Sequence, residues 1–230
     1  DEGVKSGIGT TTLLASAVNK EQKPVWLIVG AFTQRGHGDF PFRFPTPMQL
    51  RAQVYAGLIH GATGIIYFCW DTYVCRDGNV MGMSPDPQVA YSPGTPGTCK
   101  PSPAKPMELA VSKALWLAAT QINREIKELT PVLLAPTVGP EVKYALKTEG
   151  DAVSLSPLRC ILKPHPAGGY VLLTVNMDDA VLKVTYDFPG GLTAVEPLFE
   201  NRPPYELKPA QTTFEDMYDP FETHVYRLRP

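Results

Sequence analysis

The sequence predicts an α/β segment followed by an all-β segment, on three observations. Two apolar runs of strand length, Lys23–Phe32 and Ile65–Asp71, bracket a helix with clear start and stop signals. A second, longer amphipathic helix follows them. From about Val132 the texture changes to short alternating segments separated by turn residues, the pattern of an antiparallel β-sandwich. The boundary is placed near residue 135, dividing the chain into 1–135 and 136–230.

Taken in order, Val4 to Lys20 reads as a helix weakened by Thr10–Thr12, since β-branched residues lose side-chain freedom there. Lys23–Phe32 is continuously apolar and reads as a strand buried on both faces, with Trp26 in its core. A Gly-, Pro- and aromatic-rich loop runs from Thr33 to Pro45. Thr46 then caps a helix, Pro47 occupies its first turn and Gln49 completes a capping box. Leu50, Val54, Tyr55, Leu58 and Ile59 supply its apolar side, and Gly61 ends it. Ile65–Asp71 is the second strand, and strand–helix–strand with short connections implies parallel pairing. Thr72 to Lys105 reads as one long loop, of the length that usually carries function. The next helix spans about Pro106 to Leu129, with Leu109, Leu115, Ala118, Ile122 and Ile126 on one side and Thr130-Pro131 as its stop. Strands are then expected at 142–146, 152–155, 158–162, 169–175, 180–186, 192–198 and 223–228, with Asn176–Asp179 and Pro189–Gly191 as turns.

Composition narrows the function. Of 230 residues 43% are apolar and 19% charged, which suits a packed core rather than a disordered chain. The formal charge of −2 gives no general attraction to nucleic acid or anionic lipid, and no apolar run has the length of a bilayer span. Pro 24 and Gly 19 argue for loops and strands over a helical bundle. Cys69, Cys75, Cys99 and Cys160 form no short-spaced metal set, and the four histidines are scattered, so no metal site is expected. Cys75 and Cys99 flank a Pro-, Gly- and Ser-rich stretch of the long loop, and both a bridge and two free thiols remain open. There is no GxSxG elbow, no phosphate-binding GxxxxGK[ST] and no strand-linked GxGxxG, so neither an α/β-hydrolase esterase nor a nucleotide site is indicated, and no cofactor is expected.

Several stretches resemble one known architecture. Lys23-Pro24-Val25-Trp26 through Phe32 resembles strand 7 of a (β/α)8 glycoside hydrolase. Pro47 through Trp70, with His60-Gly61-Ala62-Thr63-Gly64-Ile65-Ile66-Tyr67-Phe68, resembles helix 7 and strand 8. Met107–Leu129 followed by Pro131-Val132-Leu133-Leu134 resembles helix 8, and Phe221–Leu228 resembles the last strand of an appended β-sandwich. The resemblance implies a fold of class α/β plus all-β: a partial (β/α)8 barrel (strand 7, helix 7, strand 8, helix 8) followed by an antiparallel β-sandwich. Two parallel strands cannot close a barrel. The expectation is therefore a homo-oligomer or association with a missing N-terminal fragment; the chain, starting at Asp1, reads as processed or trimmed. Extracellular or periplasmic localisation is the weakly favoured setting.

The resemblance also implies a carbohydrate substrate or ligand. Working residues of such folds lie at the C-terminal ends of strands, here Phe32, Gln34, Arg35, His37 and Asp39 after the first strand and Trp70 and Asp71 after the second. Glycosidic cleavage uses a pair of carboxyl groups. A retaining enzyme of this kind would place a nucleophilic Glu at the end of strand 7, where this chain has Val29-Gly30-Ala31-Phe32. Asp71 becomes the first candidate acid, with Asp39 as second carboxylate and His37 as proton-transfer aid. Trp70 is the candidate sugar platform, with Phe32, Gln34 and Arg35 as further substrate-binding residues. His60, His165 and His224 read as structural. Three functions follow: a glycoside hydrolase-like protein using carboxyl acid–base catalysis, a non-catalytic carbohydrate-binding or degenerate barrel protein, and a truncated scaffold with another hydrolytic activity.

Overall fold

A computed structural model of the chain describes residues 23–35, 43–70, 73–75, 78–84, 99–100, 106–137, 142–148, 157–188, 190–208 and 211–230, together with Thr12 and Ala15. Within these, strands β1 (Trp26–Gly30) and β2 (Thr33–Arg35) precede helix α1 (Pro47–Ile59). Strands β3 (Gly64–Phe68), β4 (Tyr73–Cys75), β5 (Gly78–Met81) and β6 (Cys99–Lys100) lead to helix α2 (Pro106–Leu133). Seven strands follow: β7 (Lys143–Thr148), β8 (Leu158–Pro164), β9 (Tyr170–Asn176), β10 (Leu182–Asp187), β11 (Ala194–Leu198), β12 (Thr213–Tyr218) and β13 (Thr223–Arg229).

The layers stack in a definite order. The antiparallel sheet β12-β10-β7 packs on the antiparallel sheet β11-β13-β9-β8. Between them lie Leu158, Leu172, Val184, Tyr186, Phe214 and Tyr226. The far side of the second sheet, through Val171, Leu173, Val175 and Val225, packs on Ala52, Tyr55, Ala56 and Ile59 of α1 and on Leu129 and Val132 of α2. The opposite side of the helices, through Leu50, Val54, Leu58, Leu115 and Ile122, covers Val29, Leu27 and Ile65 of the parallel pair β1-β3.

That stacking explains why α1 is buried from Ala52 to Ile59 on every side: it has sheets above and below. Its start is fixed locally. The Gln49 N–H donates to Thr46 Oγ1 at 3.1 Å, and the Thr46 N–H donates to Gln49 Oε1 at 2.9 Å. Gly61, at φ 94, turns the chain out of the helix. At Gly57 the helix lies against β1 so closely that a Cβ would collide with Leu27 Cδ2.

The partial (β/α)8 barrel is not what the chain builds. The described residues are mostly β, with two helices and several antiparallel sheets, and strands and helices do not alternate as a barrel requires. β1 and β3 do run parallel, Ile28 opposite Ile66, but form a sheet of two strands. The expected resemblance to the back end of such a barrel, as strands 7 and 8 with helices 7 and 8, is therefore corrected. So is the reading of Lys23–Phe32 as buried on both faces. Val29 is fully buried, while Trp26 is 65% and Ile28 63% exposed. The apolar run reflects one covered face and one open apolar face. Trp26 is consequently not a core residue.

Two further corrections are local. The stretch 72–105, expected as loop, contains β4, β5 and β6, which with β2 make a small antiparallel sheet in the order β2-β5-β4-β6. Strand β12, absent from the expectation, pairs with β10 from Leu182 opposite Tyr218 to Asp187 opposite Thr213. The helix expected at 4–20 and the strand expected at 152–155 lie outside the described residues, apart from Thr12 and Ala15.

Candidate functional site

Parallel pairing puts the C-terminal ends of β1 and β3 side by side, and the Ala31 N–H donates to the Phe68 carbonyl at 2.6 Å. Phe32 and Phe68 meet there edge to face, with ring centroids 5.2 Å apart. Two residues further on, Trp70 packs edge to face on Trp116 of α2 at 4.7 Å. Trp70 remains 37% and Trp116 40% exposed.

The backbone behind this rim is tied down. The Met83 N–H donates to the Cys69 carbonyl at 2.9 Å, and the Ser84 N–H donates to the Trp70 carbonyl at 3.0 Å. The Ser112 hydroxyl of α2 donates to the Gly82 carbonyl at 2.9 Å, so the segment 82–84 is pinned between Trp70 and the helix. The backbone at Cys69 and Trp70 is thus held by hydrogen bonds.

Beneath the rim, α1 and α2 are joined by a buried carboxylate. Glu125, 1% exposed, pairs with the Arg51 guanidinium and accepts from the Tyr55 hydroxyl at 2.7 Å and from Gln121 Nε2 at 3.3 Å. Burial, with Glu125 nearby, pushes the Tyr55 phenol far up, so it stays a donor. Tyr67 of β3 donates to Asn123 Oδ1 at 3.1 Å; burial first, then Glu125, pushes its hydroxyl up to about 12. These neutral phenols and the paired carboxylate brace the helices under the rim.

The expected site residues divide into three groups. Phe32 and Trp70 are brought to one end of the parallel pair. Gln34 and Arg35 lie on β2, opposite Val80 and Asn79 of β5. His37, Asp39 and Asp71 lie outside the described residues. Cys75 and Cys99 are register partners on β4 and β6.

Trp116 was not anticipated. It sits one position past the buried Leu115, off the stripe Leu115–Ile122–Leu129, and that out-of-phase aromatic was the available signal. Glu125 is the converse, a carboxylate in phase with Ile122 and Leu129, which called for a buried partner. His60 caps α1 with its Nδ1 2.7 Å from the Ala56 carbonyl, a structural role, and burial lowers its pKa. Among the described residues no group of three or more His, Cys, Asp or Glu is arranged to hold a metal ion, and no helix is long and apolar enough to cross a membrane. Compared with known proteins, the chain matches no family model and no curated relative.

Proposed function

We propose that this chain binds carbohydrate on the aromatic rim at the end of the parallel pair. The observation that carries the reading is the Trp70–Trp116 pair, pinned from behind yet more than one-third exposed. A sugar ring has an apolar C–H face and a polar hydroxyl edge, and an exposed, rigid indole complements the first of these. Phe32 and Phe68 extend the apolar surface, and the strand β2, which includes Gln34 and Arg35, begins at the next residue. Side-chain amides and guanidinium groups are the usual partners of sugar hydroxyls.

The test is a titration with a panel of oligosaccharides, read by tryptophan fluorescence, in wild type, Trp70→Ala and Trp116→Ala. Saturable binding weakened by up to about tenfold in each variant supports the reading, since aromatic contacts of this kind contribute ~0.5–1.5 kcal/mol each. No saturable binding to any member, or variants that bind as wild type, overturns it.

A second reading, hydrolysis of a glycosidic bond, is favoured by one observation: Asp71 directly follows Trp70 in the chain. A carboxyl group can donate a proton to a leaving oxygen. Turnover of aryl glycosides that is abolished in Asp71→Asn while oligosaccharide binding persists supports hydrolysis. Binding with no turnover in wild type leaves the chain as a carbohydrate-binding protein.

A further inference from the structure

Away from the rim, five charged side chains gather where β12 faces β13, beside the corners that carry Glu200 and Glu222. His224 is 3% exposed and lies between two carboxylates. Its Nδ1 is 2.7 Å from Glu200 Oε1, and its Nε2 is 3.3 Å from Glu222 Oε2 and 3.3 Å from the Met217 carbonyl. Arg202 Nη2 also lies 3.1 Å from Nδ1, but the two flanking carboxylates favour the imidazolium, which donates to one of them from each nitrogen. Arg202 pairs with Glu200 at 2.6 Å and with Asp216 at 2.8 Å, while Asp216 lies 4.0 Å from the imidazole. Three carboxylates thus face two cations.

The two carboxylates on the imidazole share an unusual setting. Each directly follows a phenylalanine whose backbone is left-handed: Phe199 at φ 64 and Phe221 at φ 60. That region is disfavoured for a residue bearing a Cβ and persists only where the surroundings hold it. Both phenylalanines pack on the cluster that joins α1 and α2 to the sheet β11-β13-β9-β8. The corner at Glu222 is further tied by its backbone, with the Asn176 N–H donating to the Glu222 carbonyl at 2.9 Å and the Phe221 N–H to the Asp178 carbonyl at 3.0 Å.

We infer that His224 is an ionic latch: its protonated ring, gripped by Glu200 and Glu222, holds the two phenylalanine corners against the helical layer, and loss of the proton frees that layer from the sheet. Without the proton, one ring nitrogen no longer donates to its carboxylate, and Glu200 and Glu222 lose their common counter-charge. Burial alone would lower the His224 pKa, but Glu200 and Glu222 overcome it and raise it from 6.5 to about 9. A group raised on folding stabilises fully below its unfolded value and loses that contribution as pH rises through the folded one. The latch therefore holds at neutral pH and opens above about pH 9.

The other groups around the ring do not titrate in that window. Tyr218 and Tyr226, whose rings contact the imidazole from β12 and β13, are pushed well above their ordinary values, first by burial. Tyr205, hydrogen-bonded to Asp216, and Tyr55 of α1, which feels Glu200, are likewise raised by burial. Arg202 stays charged, because its hydrogen bonds to Asp216 and the nearby carboxylates outweigh its partial burial. The carboxyls of Asp216 and Glu222 are held below their ordinary range and titrate only in acid.

The test is hydrogen exchange, corrected for intrinsic rate, read separately at α1 and at β10 from about pH 6 to about pH 10 in wild type, His224→Gln and Glu222→Gln. In wild type, α1 protection should fall by roughly a hundredfold relative to β10, the scale set by the gap between 6.5 and about 9. In His224→Gln the α1 protection should already be low at neutral pH and flat above it. In Glu222→Gln the alkaline midpoint should move down, since one of the two groups retaining the proton is gone. Equal loss at α1 and β10 in wild type, or a His224→Gln variant that keeps the wild-type alkaline loss, overturns the latch. If His224→Gln does not fold, an unmoved midpoint in Glu222→Gln overturns it alone.

Discussion

The sheet β11-β13-β9-β8 and the pair β1-β3 sit on opposite sides of the same two helices, yet they are finished differently. The first is covered on both faces: every residue from Val171 to Asn176 and from Thr223 to Arg227 is buried. Its polar groups bond across to the facing sheet, such as Thr174 to Tyr218 at 2.6 Å and Tyr226 to Asp216 at 2.5 Å. The second is covered on one face, and the other presents Trp26, Ile28, Ile66 and Phe68. Buried hydrogen-bonded networks specify a core, whereas exposed apolar surface marks a place for something else to bind. The same helices therefore carry a closed structural side and an open one that ends in the aromatic rim.

The sharpest test of the closed side is Asp216. Burial acts to raise its carboxyl, but hydrogen bonds from Tyr226, Tyr205 and Arg202 outweigh that and hold it below the ordinary range. Asp216→Ala leaves those donors unpaired around a buried site. The expected cost is about 3–5 kcal/mol by urea unfolding. The sign in acid follows from the same bonds. A lowered folded pKa gives stability that is complete above the unfolded value and is lost as pH falls through the folded one, so the wild-type advantage over Asp216→Ala should shrink below about pH 4. An advantage that persists undiminished into strong acid would break the contrast between the two sides.

Glu125 tests the layer between them. Glu125→Gln keeps the shape but removes the charge facing Arg51 and weakens the acceptor for Tyr55. A loss of about 2–3 kcal/mol is expected in the same assay. Smaller again is Gly57→Ala, where the added Cβ meets Leu27 Cδ2, the end of a side chain that can shift. The gain in helix propensity offsets part of the crowding, leaving a net loss of about 1–2 kcal/mol. Because Gly57 faces β1, that loss should be accompanied by altered exchange in β1 and β3 but not in β10.

Local signals in the sequence were readable where one residue's chemistry decides one local geometry. Thr46, Pro47 and Gln49 announce the start of α1, and Gly61 its end. Architecture was not readable in the same way, because an apolar run states that a surface avoids water without stating what covers it. Trp26 and Ile28 look like core on paper and are open in the structure. β12 escaped because Glu215, Asp216 and Met217 separate its buried Phe214 and Tyr218, and Asp216 faces inward only because Arg202 and Tyr226 meet it there. For the rim, Trp70 was visible from its place at a strand end. Trp116 lies 46 positions later on a helix, and tertiary packing alone brings the two together.

The smallest expected effect is also the one that separates the two faces of a single strand. Ile28 and Val29 are neighbours in β1, the first 63% exposed and the second fully buried against the helices. Replacing either by Thr preserves β-branching and strand preference. Val29→Thr puts a hydroxyl among Leu50, Val54 and Leu115 and should cost ~1–3 kcal/mol. Ile28→Thr should change stability by no more than ~0.5 kcal/mol in the isolated chain. If a second copy of the chain covers this face, Ile28→Lys should lower the sedimenting mass while leaving the unfolding midpoint almost unmoved. A wild type that sediments as a monomer at high concentration rejects that partner.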